Sequence, residues 1–291
     1  MNEWNWELIV KQESLTEGPA WNGSELLYSQ CPASLTWSWN PNNNKNTVWR
    51  EETNGSNGML FDQEGNLYAC EGEGRRLVQY SKGKETVIIT DNFEGKKYNE
   101  PNDLAIYPDG RNIWFSDPNY GGRKPFLEHE SVYLAQKTSN DSWNISRATF
   151  DTTRPNGVLL SKDTKTLYVA ESPYGNDVRR QFRAYPINED YSLGDHTVLH
   201  DFGDGRGIDG MCLDTEGNIL ATAGHHEGGP GPMIYHFNTS GRVLRTFEAP
   251  ADKPTNCSFG GENLDILFIT FVGGEVYQVK NTGLKGHLLF P

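Results

Sequence analysis

Cysteine is scarce in this chain. Four residues, Cys31, Cys70, Cys212 and Cys257, stand far apart and no Cys-x-x-Cys pair occurs. That spacing argues against a zinc ribbon and against a dense disulfide framework, and leaves buried, reduced thiols as the expectation. Long apolar runs are missing too, with none reaching the roughly 18 residues of a membrane helix. The opening Met1-Asn2-Glu3-Trp4-Asn5-Trp6-Glu7 has neither the basic start nor the apolar centre of a signal peptide. A cytoplasmic protein without membrane contact is the expectation. Basic charge is the third shortage: 26 Lys and Arg face 39 Asp and Glu, a formal net charge of −13, and no basic block is long enough to follow a phosphate backbone. Nucleic acid is therefore not an expected partner, and a neutral small molecule suits the acidic field better than an anion.

Turn residues and aromatic bulk are what the chain has. It carries 31 Gly and 15 Pro, Asn-rich connections such as Asn40-Pro41-Asn42-Asn43-Asn44, and 12% aromatic residues. Many short strands joined by turns around a packed core follow from that composition. A repeat underlies it. A polar residue, a small residue and alternating apolar positions recur at Glu17-Gly18-Pro19-Ala20-Trp21, Asn57-Gly58-Met59, Asn102-Asp103-Leu104, Asn156-Gly157-Val158, Asp209-Gly210-Met211 and Asn256-Cys257-Ser258, at intervals of 40 to 54 residues. A second apolar run follows each start, several through a glycine turn such as Asp62-Gln63-Glu64-Gly65 or Asp214-Thr215-Glu216-Gly217. Four strands per period of this size describe a propeller blade, a small twisted sheet that buries its faces only against its neighbours. The expectation is an all-β fold, a single six-bladed β-propeller over residues 1–291. Either Glu7 to Lys11 or His287 to Phe290 would supply the outer strand of the last blade.

In a propeller the first strand of each blade lines the central channel, so equivalent positions form a ring. Here the ring reads Glu17, Asn57, Asn102, Asn156, Asp209 and Asn256. Two carboxylates and four amides all offer oxygen, the donor that hard divalent cations prefer. One such residue before a glycine commonly caps a turn; six converging in a channel would be costly to bury without a ligand. A central metal site is expected.

The sequence resembles the senescence marker protein 30/gluconolactonase/luciferin-regenerating enzyme-like family of six-bladed propellers across essentially its whole length. The resemblance is carried by Glu17-Gly18-Pro19-Ala20-Trp21, Pro101-Asn102-Asp103-Leu104 with Ile113-Trp114-Phe115-Ser116-Asp117-Pro118-Asn119-Tyr120-Gly121, Arg154-Pro155-Asn156-Gly157, and Asp209-Gly210-Met211 with Asp214-Thr215-Glu216-Gly217-Asn218. It implies metal-dependent hydrolysis of a sugar lactone, with Glu17, Asn156 and Asp209 as metal ligands and Asp209 also as general base. Asn102 and its neighbour Asp103 are then substrate contacts. One divalent cation is implied, calcium before magnesium, manganese or zinc, because calcium tolerates mixed carboxylate and carbonyl ligands. The animal branch has an Arg where this chain has Glu100. Glu100-Pro101-Asn102-Asp103 looks closer to the bacterial gluconolactonase branch, and Glu100 is a candidate substrate contact or a solvated charge.

Further candidates are weighed against packing. Cys70-Glu71-Gly72-Glu73-Gly74-Arg75-Arg76 resembles a family segment that would bring Glu71 or Arg75 to the channel mouth, or it forms a salt-bridged turn. Tyr120 is a candidate pocket wall residue or a packing residue. His225 and His226 are neighbours in an extended segment and point opposite ways, so joint chelation is not expected. Arg179-Arg180 reads as surface charge. An organophosphate or aryl-ester hydrolase and a non-catalytic calcium-binding scaffold are the competing functions. A monomer or small homo-oligomer is expected.

Overall fold

The computed structural model describes residues 4–175 and 178–290, and strands account for nearly all of the regular structure. They form six sheets of four strands or more, each an antiparallel meander that begins at one of the repeat starts. Blade one runs Glu17–Trp21, Leu26–Gln30, Leu35–Asn40 and Lys45–Arg50; blade two Ser56–Phe61, Leu67–Glu71, Arg76–Tyr80 and Val87–Thr90. Blade three runs Leu104–Ile106, Asn112–Asp117, Ser131–Lys137 and Trp143–Arg147, after a small ribbon of Asn92–Phe93 and Lys96–Lys97. Blade four holds Pro155–Leu160, Thr166–Glu171, Gln181–Pro186 and Thr197–Asp201; blade five Ile208–Asp214, Ile219–His225, Gly228–Phe237 and Val243–Glu248. Blade six is Pro254–Gly260, Ile266–Phe271 and Glu275–Val279, completed on its outer side by Trp6–Lys11 from the start of the chain.

The ring closure is visible in the core itself. The buried apolar residues fall into six clusters, and each spans one interface between neighbouring blades, the last joining Phe268 and Val276 of blade six to Trp21, Leu26 and Tyr28 of blade one. First and second strands lie between two neighbours and are buried along nearly all their length, whereas the outer Val243–Glu248 is mostly exposed. The turn glycines do what the sequence implied: Gly65, Gly110 and Gly217 adopt φ of 79°, 66° and 83°.

Of the two segments that could complete blade six, the N-terminal one does so. Gly286–His287 pairs instead with Leu213 and Asp214, at the far end of the blade-five inner strand. From there Leu288, Leu289 and Phe290 pack against three different interface clusters, Phe290 lying 5.7 Å from the Phe61 ring. The tail thus closes the end of the channel opposite the repeat starts. Between tail and polar ring lies an inner cavity of about 100 Å³.

Candidate active site

The ring residues share a backbone device. In blades one, two, four, five and six the pairing of first with second strand slips at the ring position, between Glu17 and Ala20, Ser56 and Met59, Pro155 and Val158, Ile208 and Met211, and Pro254 and Cys257. A bulge turns one residue out of the pleat, and here the turned side chain points along the channel instead of into a blade interface. Blade three differs: its inner strand begins only at Leu104, and Asn102 precedes it.

Two of the ring amides are set by buried carboxylates at the ends of second strands. Asp117 accepts from the Asn99 and Glu100 N–H groups at 2.9 and 2.7 Å, fixing the approach to Asn102. Glu171 accepts from Thr153 and Arg154 N–H at 2.8 and 2.7 Å, fixing the approach to Asn156. Burial pushes the Asp117 carboxyl up to about 7 and raises Glu171.

Glu17, Asn57, Asn102, Asn156 and Asp209 line the floor of one pocket of about 720 Å³, with Glu100 and Tyr120 on the blade-three side and Arg206 and His225 on the blade-five side. Glu17 is 3% exposed, and its Oε2 accepts from Gly18 N–H at 2.7 Å and from the Asn256 amide at 3.1 Å. Burial first, then the Asp209 and Asp103 charges, drives its carboxyl well above the ordinary range. Burial also raises Asp209, while the Arg206 guanidinium, in direct contact with its Oδ2, pulls the other way. Arg206 is anchored on the Gly224 and Pro254 carbonyls at 3.3 and 2.9 Å. Glu100 keeps one oxygen on the Gly121 N–H at 2.7 Å, with Arg123 at 3.9 Å from the other.

Asp103 and Asn256 stand behind this floor. Both line the inner cavity and not the pocket; Asp103 accepts from Val158 N–H at 3.2 Å, and burial lifts it to about 7. Glu71 turns inward to Tyr80 and Arg76, and Arg75 donates to the Tyr98 and Asn99 carbonyls, so both build the blade-two turn. His225 faces the pocket, whereas His226 is exposed beside Asp252. Arg179 is a surface charge paired with Asp201, but Arg180 is not: it lines the pocket and ties loop carbonyls together. Cys31 also lines the pocket and is only partly buried, while Cys212 and Cys257 sit with sulfurs 3.5 Å apart as free thiols. Sequence reading missed Arg206, although an arginine three residues before Asp209 was a usable signal, and it missed Tyr174, which lies outside the repeat.

A family model described as SMP-30/Gluconolactonase/LRE-like region matches residues 15–273. The chain belongs to this family. Its relatives there include a gluconolactonase of Zymomonas mobilis, 27% identical over 91% of this chain and 78% of that protein. A 6-deoxy-6-sulfogluconolactonase of Pseudomonas putida is 26% identical over 93% of this chain and 87% of its own length. Among solved structures, a gluconolactonase of Xanthomonas campestris superimposes with a TM-score of 0.81 at 27% identity, covering 96% of this chain and 90% of that one.

Proposed function

We propose that this protein hydrolyses a sugar lactone with the help of one divalent cation held by Glu17, Asn156 and Asp209. The observation that carries the reading is the convergence of two carboxylates and three amides from five blades on the floor of one roomy pocket, in a chain whose relatives include gluconolactonases. The donor set suits a hard cation. Two carboxylates share a desolvated floor where the Asp209 charge adds to the cost of ionising Glu17, and the Asn57 Oδ1 is buried there without a partner. Beside Glu17 and Asp209, Asn156 offers a neutral amide oxygen as a third donor. Calcium accepts that mixture most readily.

Bound there, the cation supplies a Lewis acid for the lactone carbonyl oxygen. The remaining steps belong to the chain's own groups. Glu17, fixed by Gly18 and Asn256, stays a ligand, and Asn156 adds an oxygen without adding charge. Asp209, held at Oδ2 by Arg206, takes a proton from the attacking water. The water oxygen bonds to the carbonyl carbon, the ring carbon–oxygen bond breaks, and the proton passes from Asp209 to the departing ring oxygen. The product is the open hydroxy acid. Asn102 and Glu100 line the pocket and, on this reading, hold substrate hydroxyls.

Proton release from glucono-δ-lactone above the spontaneous rate tests this, in chelated protein resupplied separately with Ca²⁺, Mg²⁺, Mn²⁺ and Zn²⁺. Turnover is expected to vanish on chelation and return with a cation. Asp209→Asn is expected to keep a cation-induced thermal shift while kcat falls by about 100-fold or more. Failure of every cation to support turnover of any aldonolactone would overturn the reading.

A further inference from the structure

The pocket is larger than one sugar ring requires. A hexonolactone has roughly a dozen non-hydrogen atoms; even at the ~30 Å³ that a water takes in the liquid, it fills about half of the 720 Å³ available. The rest has a definite wall. Tyr120 stands beside the polar floor, its hydroxyl donating to the Ser172 carbonyl at 3.0 Å. Tyr174 lies against it, ring centroids 4.9 Å apart, and keeps 67% of its surface open. The Arg154 guanidinium, gripped by Glu130 through bonds of 2.9 and 3.0 Å, packs 5.4 and 5.6 Å from the two ring centroids. An open aromatic ring fixed in this way is preorganised for a partner.

The surrounding charges decide the partner's chemistry. Arg180 donates to the carbonyls of Pro173, Gly175, Val178 and Asp204, and Arg206 to Gly224, Pro254 and Asp209, so both guanidinium groups are already occupied. Lys253 also lines the pocket, 3.7 Å from the Asp252 carboxylate, so an anionic substituent meets one partly neutralised cation among several carboxylates. Glu73, Glu100 and Glu227 line the same pocket and accept hydroxyl protons, which a plain alkyl chain cannot offer. A sugar ring presents both an apolar C–H face and a rim of hydroxyls.

We propose that the pocket takes an aldonolactone bearing a glycosyl substituent, with the lactone on the polar floor and the second sugar stacked on Tyr174. The proposal rests on the lactonase reading. Binding energy from the remote ring then serves the reacting one, raising kcat/KM for the larger substrate.

The test compares kcat/KM for cellobionolactone and glucono-δ-lactone in the cation-loaded enzyme, with Tyr174→Ala and Tyr174→Trp beside the unaltered protein. The expected result is a preference for the disaccharide lactone of about tenfold, lost in Tyr174→Ala and kept in Tyr174→Trp. The ratio is internal to each variant, so partial misfolding does not mimic it. A ratio near one, a ratio untouched by Tyr174→Ala, or a stronger preference for δ-decalactone would overturn the proposal. If no lactone is hydrolysed the reaction reading falls separately, and calorimetry still decides the subsite. Cellobiitol binding about tenfold more tightly than glucitol, with the difference removed by Tyr174→Ala, supports it; equal binding refutes it.

Discussion

Beside four of the ring residues sits a glycine whose place no side chain could take. A Cβ at Gly18 would lie 2.1 Å from the Asn57 carbonyl oxygen, at Gly58 2.3 Å from Asp103 Oδ1, at Gly157 2.3 Å from the Asp209 carbonyl oxygen and at Gly210 2.1 Å from the Asn256 side chain. Each glycine lets one blade's inner strand touch the next, which brings the polar side chains within reach of one centre. Gly157→Ala is expected to lower unfolding free energy by about 1–3 kcal/mol and to shrink the thermal shift produced by Ca²⁺; denaturant melts with and without the cation check both. These positions were legible in the sequence because polar-then-glycine recurs on one period. Tyr174 was not, since it lies in a connection outside the repeat and only the folded chain brings it to the ring, while Arg206 was marked only by its place three residues before Asp209.

At the scale of the strand, the carboxylate clamps carry a pH signature. Asp117 holds its proton to about 7 in the fold, whereas an unfolded aspartate releases it near about pH 4. Below the unfolded value both states are protonated and stability is full; it falls as pH rises between the two values, and the loss is complete above the folded one. Asp117→Asn, neutral throughout, is expected to flatten that slope between pH 5 and 7, at lower overall stability because an amide nitrogen then faces one of the two donors. Urea midpoints across that range measure it, and an unchanged slope would mean that Asp117 does not hold its proton in the fold. The repeat starts and the glycine turns were readable, because alternation and turn residues are local. The bulges were invisible, because a bulge is a mismatch between two strands and neither sequence shows it. The closing strand was an open choice for the same reason: Glu7 to Lys11 and His287 to Phe290 both read as short apolar strands, and it is tertiary contacts that favour the first, such as Trp4 stacked on Phe247 with ring centroids 3.6 Å apart and Trp6 against Tyr277. Removing residues through Lys11 is expected to cost more than about 5 kcal/mol or to abolish soluble expression. Removing residues 286–290 leaves all six blades four-stranded and is expected to cost less; soluble yield and urea midpoints rank the two.

Over the whole molecule, the most strongly desolvated acids gather at one end. Glu17, Asp103, Asp117, Glu171 and Asp209 are all raised by burial, while lowered carboxyls such as Glu25, Asp163 and Asp252 lie near solvent. On the proposed reading, protons and a divalent cation compete for the same floor. The gain in Tm from saturating Ca²⁺ is expected to be larger at pH 8 than at pH 5, since at the lower pH Glu17 must first lose a proton that burial holds in place. Thermal melts at the two pH values check this, and equal gains would place the cation elsewhere.

The closure of blade six also sets a timetable for synthesis. Glu7 bonds to Gln278, 271 residues later. At about 5–20 residues per second a ribosome needs roughly 15–55 s to make that partner. Through that interval the first strand is a sticky edge waiting in the open, and five blades can assemble before it has anywhere to go. Charged side chains at Glu7 and Lys11 are the protection such an edge needs against pairing with a neighbouring nascent chain.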